Sequence, residues 1–210
     1  MSTLATLKAE IADDFARTDL EDAIAGAISR AITYYQNTDF WFNEKRSLTF
    51  TTVAGQARYS SIDDTDIGLI KTLTGLFLVT SDVPVELLRI QANELEAMTS
   101  ASAGNARPDS WAYYEQQIGI WPPPDDAYTV RMMGTFKIAE PAANNDANNP
   151  WMVEAYQLIR FRASKEIAAV KIRDYQVAQI MGAAELDERT RLLSETDRRT
   201  GTSFVTPSDF

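Results

Sequence analysis

The change from helix to strand lies within residues 20–53, LEDAIAGAISRAITYYQNTDFWFNEKRSLTFTTV. The first half repeats apolar residues three or four positions apart, which is the spacing of an amphipathic helix. This stripe consists of Leu20, Ile24, Ala27, Ile28, Ala31 and Tyr35. Asp19 stands at the N-cap position before an acidic first turn, so we expect it to cap this helix. The second half is rich in β-branched and aromatic residues and predicts a strand over Ser47–Val53.

One more helix is predicted before this segment, and two are predicted near the end of the chain. The first covers Thr3–Arg17, with a stripe of Leu4, Leu7, Ile11 and Phe15. Asn149-Pro150-Trp151 predicts a helix start, because Asn caps a helix well and Pro is favoured at its first position. We expect that helix to reach about Arg173 and another to span Asp174–Arg199. The predicted buried positions are Met152, Tyr156, Ile159, Ala163, Ile167 and Val170 in the former, and Val177, Ile180, Ala184 and Leu192 in the latter.

Short strands are predicted throughout the section between the two helix pairs. They cover Ser47–Val53, Ala57–Ser60, Leu69–Thr80, Pro84–Ile90, Trp111–Glu115, Gln117–Trp121 and Tyr128–Lys137. Ala92–Thr99 predicts one short helix among them. The run WPPPD at 121–125 is interpreted as a rigid corner between two strands, because Pro lacks the N–H that a strand ladder needs. A polyproline ligand for an aromatic groove is the alternative interpretation of this run.

The predicted fold class is α+β, mainly an α-helical bundle formed by the N- and C-terminal helix pairs with a β-rich insert in the middle. Each helix pair has an apolar face that needs a partner, and packing the two pairs together satisfies both. The predicted segments are the N-terminal helices at 1–43, the β-rich insert at 44–138, a linker with the C-terminal helices at 139–200, and a tail at 201–210.

The composition of the 210-residue chain excludes several kinds of active site. It contains no Cys and no His, so it cannot form a Ser-His-Asp triad, a Cys-His pair, a zinc finger or a disulfide. The acidic run at 63–66 fails as an EF-hand, because a loop that starts at Asp64 places Gly75 where the bidentate Glu should be. We therefore expect no enzyme activity and assign no catalytic, cofactor-binding or metal-binding residue. A peptidoglycan hydrolase that uses carboxylates is the alternative.

The formal net charge is −10, from 20 basic and 30 acidic residues. Residues 1–150 carry 11 basic and 21 acidic side chains, whereas residues 151–200 carry 9 and 8. This balance opposes loose binding to DNA or to anionic lipid, and no apolar stretch is long enough to span a membrane. We expect interaction surfaces in the Arg-containing C-terminal region and in the apolar tail. The candidate residues are Arg160, Arg162, Arg198, Arg199, Phe204, Val205 and Phe210.

A set of short motifs follows a fixed order along residues 4–195. They are Asp39-Phe40-Trp41-Phe42-Asn43-Glu44, Leu48-Thr49-Phe50-Thr51-Thr52, Gly55-Gln56 with Tyr59, Ile62-x-Asp64, Arg107-Pro108, the run from Ile120 to Tyr128, and Asn149-Pro150-Trp151. In this order they resemble the adaptor, or head-to-tail connector, proteins of tailed bacteriophages. The chain departs from the family pattern at Ser61-Ile62, where the family usually has Leu-Pro.

The resemblance implies a structural virion protein that acts as an adaptor ring at the head–tail junction. About a dozen copies would form a dodecameric ring below the portal protein, extend the DNA channel and provide the attachment platform for tail or nozzle proteins. Double-stranded DNA would pass through without specific binding, and no cofactor or membrane is implied. Such a protein is made in the cytoplasm of the host bacterium. We expect the tail at 201–210 to become ordered on the portal or on a neighbouring subunit.

Overall fold

The structure of the chain is a computed structural model that describes residues 2–80, 83–100 and 104–201. It has six α-helices and two β-sheets within these residues, so the predicted α+β class is confirmed. The described residues divide into two compact units. The helical unit contains the chain up to Phe42 and again from Ile138, and the β unit is Asn43–Lys137.

The helices begin and end close to the predicted positions at most of their termini. They are α1 (Leu4–Asp14), α2 (Glu21–Tyr35), α3 (Ala92–Ser100), α4 (Pro150–Val153), α5 (Tyr156–Ile167) and α6 (Tyr175–Thr200), with 3-10 turns at Trp41–Asn43 and Thr65–Leu69 and a π segment at Ala168–Ile172. Asn149 caps α4 as predicted, since its Oδ1 accepts a 3.0 Å hydrogen bond from the backbone N–H of Trp151. Asp174 caps α6 in the same way.

The predicted N-cap of α2 is wrong. The residue at that position is Leu20, which makes no side-chain cap hydrogen bond. The carboxylate of Asp19 instead accepts two hydrogen bonds of 2.6 Å from the Arg17 guanidinium. Those hydrogen bonds lower the pKa of Asp19 to about 2. Because α2 begins at Glu21, Asp19 lies one residue before the N-cap position, and both of its carboxylate oxygens bind Arg17.

The stripe of α2 is buried as predicted, and it shares one core with Phe40, Phe42 and Trp151. In the stripe of α1, Leu7 and Ile11 are buried in the same core, whereas Leu4 and Phe15 are partly buried and pack against it. The rings of Phe40 and Phe42 stack with centroids 5.2 Å apart, and both meet the Trp151 ring edge to face. The Trp151 indole N–H donates a 3.1 Å hydrogen bond to the carbonyl of Ile138. An aromatic cluster thus anchors the start of the C-terminal helices on the residues that follow α2.

The C-terminal helices differ from the prediction at two places. The helix expected to begin at Asn149 and reach about Arg173 is divided into α4, α5 and the π segment. The first five predicted positions are buried, but Val170 is exposed. A π segment adds residues to a turn, so it rotates the positions that follow it away from the stripe of an α-helix.

The buried face of α6 also differs from the predicted stripe. The buried residues are Ala178, Glu185 and Leu192, whereas Ile180 is 60% exposed. Only Leu192 of the predicted stripe is fully buried. The carboxylate of Glu185 occupies the centre of the buried face. The spacing of apolar residues does not predict a buried carboxylate, so the predicted stripe did not include Glu185.

The β unit consists of two four-stranded sheets, in the orders β1-β8-β3-β4 and β2-β7-β6-β5. The strands are β1 (Glu44–Thr51), β2 (Arg58–Tyr59), β3 (Ile70–Thr80), β4 (Val83–Glu86), β5 (Leu88–Arg89), β6 (Ser110–Tyr114), β7 (Gln117–Trp121) and β8 (Thr129–Phe136). Both sheets contribute to one buried core, which includes Phe50, Leu76, Trp111, Ile118 and Val130. The 121–125 run links β7 to β8, as the corner interpretation predicts.

The single strand predicted over Pro84–Ile90 is wrong, because the chain changes sheets at Leu87. The Leu87 N–H donates to the carbonyl of Leu76 in β3, at 2.9 Å. The next residue, Leu88, donates to Asp109 at 2.7 Å, beside β6. The segment is therefore two strands, β4 and β5, in different sheets. The change of partner depends on long-range pairing, which the local residue pattern does not encode.

The two-residue turn between β6 and β7 gives the first testable prediction. Glu115 and Gln116 have φ values of 51° and 59°, a conformation in which Asn and Gly are favoured. We expect the pair of substitutions Glu115→Asn and Gln116→Gly to raise the free energy of unfolding by about 1 kcal/mol, because they remove this strain. Urea unfolding of both proteins measures the change.

The matched control places the same Gln→Gly change in an ordinary helical conformation. Gln179 lies on the exposed side of α6, where Gln179→Gly is expected to lower stability by about 1 kcal/mol. Equal effects of the two glycine substitutions would show that turn strain does not explain the result.

Candidate functional site

The four arginines predicted to form an interaction surface lie on α5 and α6. Each of them forms an ion pair with a carboxylate of the same chain. Arg198 and Arg199 share one carboxylate, whereas Arg160 and Arg162 bind different ones. The remaining candidates, Phe204, Val205 and Phe210, lie outside the described residues.

Arg160 connects α5 to α1. Its Nη2 lies 2.7 Å from Oδ1 of Asp14, and its Nη1 lies 3.0 Å from Oε2 of Glu10. Its Nε donates a further hydrogen bond of 3.2 Å to Asp14. The guanidinium is therefore committed to holding two helices together, and a bidentate pair in a half-buried position contributes more than an exposed ion pair.

Arg162 belongs to a buried polar cluster around Glu185, which sequence reasoning missed. Oε1 of Glu185 accepts hydrogen bonds from the Tyr35 hydroxyl at 2.6 Å and from Arg162 at 3.0 Å. Oε2 accepts from Lys165 at 2.9 Å. The Arg162 guanidinium also lies 3.9 Å above the ring of Tyr34. We call Tyr35, Arg162, Lys165 and Glu185 the Glu185 cluster.

The Glu185 cluster connects three helices, because its members lie on α2, α5 and α6. Glu185 is only 6% exposed, so burial opposes its ionisation. The hydrogen bonds from Tyr35, Lys165 and Arg162 outweigh that effect and lower the pKa of Glu185. The spacing of α6 could have located Glu185 on the buried face. Glu185 stands seven residues after Ala178 and seven before Leu192, which places all three on one helix face.

Arg198 and Arg199 lie in the last turn of α6 and both pair with Glu195. Their hydrogen bonds lower the pKa of Glu195 to about 2. The Arg199 guanidinium also lies 4.6 Å from the centre of the Trp41 ring. Arg198 makes no ring contact among those of the described residues, and its side chain is 75% exposed. Of the four predicted arginines, Arg198 is the one most accessible to a partner.

These contacts give a prediction that separates a structural arginine from an accessible one. Arg160→Ala is expected to lower the free energy of unfolding by about 1.5 kcal/mol, because Asp14 and Glu10 lose a half-buried partner. Arg198→Ala should change it by less than about 0.5 kcal/mol, since the exposed pair with Glu195 contributes little. Urea unfolding measures both effects, and equal losses would contradict the assignment.

The acidic run at 63–66 has structural roles. A carboxylate oxygen of Asp63 accepts from the backbone N–H of Ser60 at 2.7 Å, and Asp64 caps the 3-10 turn by accepting from the N–H of Asp66 at 2.9 Å. Asp64 and Asp66 lie on one turn, which does not place them on opposite sides of a substrate, as a carboxylate hydrolase requires. Within residues 2–80, 83–100 and 104–201, no group of three acidic side chains could hold a metal ion.

The described site thus consists of ion pairs within the chain and the accessible side chain of Arg198. A family model described as SU10 adaptor protein matches residues 2–207. The chain belongs to this family of phage adaptor proteins, which confirms the resemblance seen in its motifs. It is therefore a structural adaptor of the virion, in a class that interacts with portal and tail proteins.

No curated protein matches the chain. In the part of the chain that the structure describes, every helix is too short or too polar to cross a membrane.

Proposed function

We propose that the chain forms a homo-oligomeric, dodecameric ring that binds below the portal protein. The ring extends the DNA channel of the virion and provides the platform to which tail or nozzle proteins attach. The observation that supports this proposal most directly is the family match, which covers residues 2–207 and so nearly the whole chain. Assembly would follow synthesis in the host cytoplasm and place the protein at the head–tail junction.

The charge of the chain supports a role as a conduit. Its net charge of −10 per copy would be multiplied in a ring, and a negative lumen repels the phosphate backbone. A basic lumen would hold DNA at many phosphate contacts and slow its passage. DNA therefore passes through such a ring without a specific binding site.

We further propose that the helical unit is a bundle into which the β unit is inserted. The helices before Phe42 and after Ile138 share one core, so the two ends of the chain fold together. The proposed segments are helices at 1–43, the insert at 44–138, a linker and helices at 139–200, and a tail at 201–210. The tail carries Phe204, Val205 and Phe210, which we propose contact the portal or a neighbouring copy.

Mass measurement of the complex tests this proposal. Purified protein is mixed with the portal ring of the same genome, and light scattering determines the mass of each component and of the mixture. A discrete complex with about a dozen copies is the expected result. A mixture in which the portal ring and the free chain keep their separate masses would overturn the proposed function.

Removal of residues 201–210 tests the role of the tail in the same assay. The truncated chain is expected to bind the portal at least about ten-fold more weakly, because it lacks two Phe side chains and aromatic residues are enriched at protein interfaces. The Ile62→Asp variant serves as a full-length control, because it changes one side chain that is 95% exposed and is not among the predicted interaction residues. Unchanged assembly of the truncated chain would contradict a role for the tail.

A further inference from the structure

Strand β1 forms a long uncovered edge of the β unit. It pairs with β8 on one side, and on the other side it pairs with no strand of residues 2–80, 83–100 and 104–201. The opposite edge of this sheet is β4, and the second sheet ends in β2 and β5, which have two residues each. An uncovered edge presents backbone N–H and C=O groups that can pair with an extended segment of a partner.

The β4 edge is poorly suited to accept another strand. The Leu87 N–H donates to the carbonyl of Leu76 at 2.9 Å, which fixes the alternation of the ladder between β4 and β3. The nitrogens of Pro84 and Glu86 therefore point to the open edge, and Pro84 has no N–H to donate. Strand β1 contains no Pro, so it keeps every donor of its edge.

The open N–H and C=O groups of β1 belong to Thr49 and Thr51. The Thr52 N–H donates to the carbonyl of Tyr128 at 2.9 Å, on the side of β8. Because neighbouring residues of a strand direct these groups to opposite sides, Thr49 and Thr51 direct theirs away from β8. The side chains of both residues are exposed.

Two local features limit the length of this open edge. A bulge lies between Lys45 and Leu48, where the register with β8 shifts. After the strand, the Val53 N–H donates to the Tyr59 hydroxyl at 3.0 Å and already has a partner. The regular open edge is therefore residues 48–51, which we call the β1 edge. An extended segment of similar length would cover it.

The chain itself contains a segment that fits the β1 edge, in the tail outside the described residues. Residues 202–206 are TSFVT, which combines β-branched and aromatic residues without any charge. Gly201 precedes them and Pro207 follows them, and both residue types commonly bound strands. The β1 edge, with the sequence LTFT, also has no charged side chain. We call residues 202–206 the tail segment.

Pro207 and the direction of the sheet restrict how the tail segment can pair. The β1-β8-β3-β4 sheet is antiparallel at every pair of its strands, so we expect the added strand to be antiparallel too. The nitrogen of Pro207 has no N–H and must point away from β1, so the N–H groups of Thr202 and Phe204 point toward it. Thr202 then lies opposite Thr51 and Phe204 opposite Thr49, and each pair exchanges two hydrogen bonds.

This register also covers an apolar side chain of β1. Val205 lies opposite Leu48, and the two side chains are on the same side of the sheet. Leu48 is only partly buried against the core of the β unit, so part of its surface is uncovered. A shift of the tail segment by two residues in either direction places Pro207 or Ser203 opposite Leu48. The register with Val205 there therefore provides the β-branched apolar neighbour that a strand favours.

We propose that the tail segment of one copy adds to the β1 edge of the next copy as an antiparallel fifth strand of the sheet. Every copy then donates one strand and accepts one. Such a contact between two different parts of identical subunits is heterologous, which is the kind that a closed ring needs. The inference rests on the ring assembly proposed above, and it assigns the tail to a neighbouring copy rather than to the portal.

Cysteine cross-linking tests the contact directly, because the chain contains no Cys. The variant with both Leu48→Cys and Val205→Cys is assembled on the portal ring and oxidised. A ladder of covalent multimers on a non-reducing gel is the expected result, because opposite residues of a pair without hydrogen bonds have close Cβ atoms. A mixture of the two single variants should give dimers only.

The matched control moves one cysteine by a single residue. In the variant with both Thr49→Cys and Val205→Cys, the two side chains lie on opposite sides of the sheet. This variant should assemble on the portal and give no ladder. Ladders of equal strength from the two double variants would show that the tail does not pair in this register, which would contradict the proposal.

Other outcomes separate failure of this contact from failure of the ring. A ring of the expected mass that yields no ladder with Leu48→Cys and Val205→Cys overturns the contact and leaves the ring intact. A cross-link within one chain, with no dimers from the mixture of single variants, would place the tail on its own β1 and also overturn the proposal. Absence of any ring in the unmodified protein would overturn the proposed function itself.

Proline substitutions in the tail give an independent test of the direction of the hydrogen bonds. Thr202→Pro removes the N–H that donates to Thr51, so assembly on the portal should weaken about five-fold or more. Ser203→Pro removes an N–H that points away from β1 and should leave assembly unchanged. Gly201 has a ψ of 113°, which is compatible with a following Pro, so Thr202→Pro leaves the end of α6 intact. Equal assembly by the two proline variants would contradict the proposed pairing.

Discussion

Replacement of Glu185 by Ala is expected to lower the free energy of unfolding by about 3 kcal/mol. The change removes the common acceptor of Tyr35, Arg162 and Lys165. The Tyr35 hydroxyl belongs to a fully buried side chain and would have lost its acceptor. The side chains of Arg162 and Lys165 are partly exposed, so water can solvate them in the variant. The expected loss therefore lies at the lower end of the range for a broken buried ion pair.

A double-mutant cycle measures how much of that loss comes from the Tyr35 hydroxyl. Urea unfolding is followed for the unmodified chain, for Tyr35→Phe, for Glu185→Ala and for the double variant. Tyr35→Phe alone should cost about 1 kcal/mol, and the two losses should not add, because both remove the same hydrogen bond. A Glu185→Ala variant within about 0.5 kcal/mol of the unmodified protein would show that the cluster contributes nothing to stability.

The same cluster predicts a dependence on pH. The pKa of Glu185 is below its ordinary value of 4.5 in the folded chain, so the unfolded chain binds its proton first as the pH falls. The stabilisation is complete above pH 4.5 and is lost as the pH falls through the lower folded pKa. The Gln side chain of the Glu185→Gln variant cannot titrate. The difference in free energy of unfolding between this variant and the unmodified protein should therefore shrink as the pH falls from 7 to about 3. A constant difference would contradict this prediction.

The second large effect is expected at Gly134, in the middle of β8. A Cβ at this position would lie 2.1 Å from the carbonyl oxygen of Thr72 and 3.0 Å from Cα of Leu73. Both atoms belong to the backbone of β3, which is irregular between Leu73 and Gly75 and cannot yield as a side chain would. Gly134→Ala should therefore cost about 3 kcal/mol, because the pairing of β8 with β3 must open.

Gly104→Ala is the matched control, because no heavy atom of residues 2–80, 83–100 and 104–201, apart from the glycine and its chain neighbours, lies within 4 Å of its Cβ position. Its effect on stability should stay within about 0.5 kcal/mol. The measurement is urea unfolding followed by tryptophan fluorescence, since Trp111 and Trp121 belong to the β unit and Trp41 and Trp151 to the helical unit. Equal midpoints for the two alanine variants would show that the sheet can accommodate a side chain at Gly134.

Local patterns in the sequence predicted the elements whose formation depends on near neighbours. The stripes of α1 and α2, the Asn149-Pro150 start of α4, the turn of α5 into α6 near Asp174 and most of the strands follow from spacing, capping and β-branched composition. The absence of Cys and His and the order of the short motifs also led to the class of protein. The formation of each of these helices and strands depends on residues within about one or two turns of each other, whereas the motif order extends along residues 4–195.

Tertiary structure alone decided the features that depend on distant partners. The predicted strand is divided at Leu87, because the consecutive residues Leu87 and Leu88 donate to different partners. These partners are Leu76 and Asp109, which are far apart in the chain. The π segment turns Val170 outward, and Glu185 becomes a core residue because three donors from two other helices converge on it. The free energy of a buried charge or of a shared strand depends on which groups surround it, and only the folded chain brings those groups together.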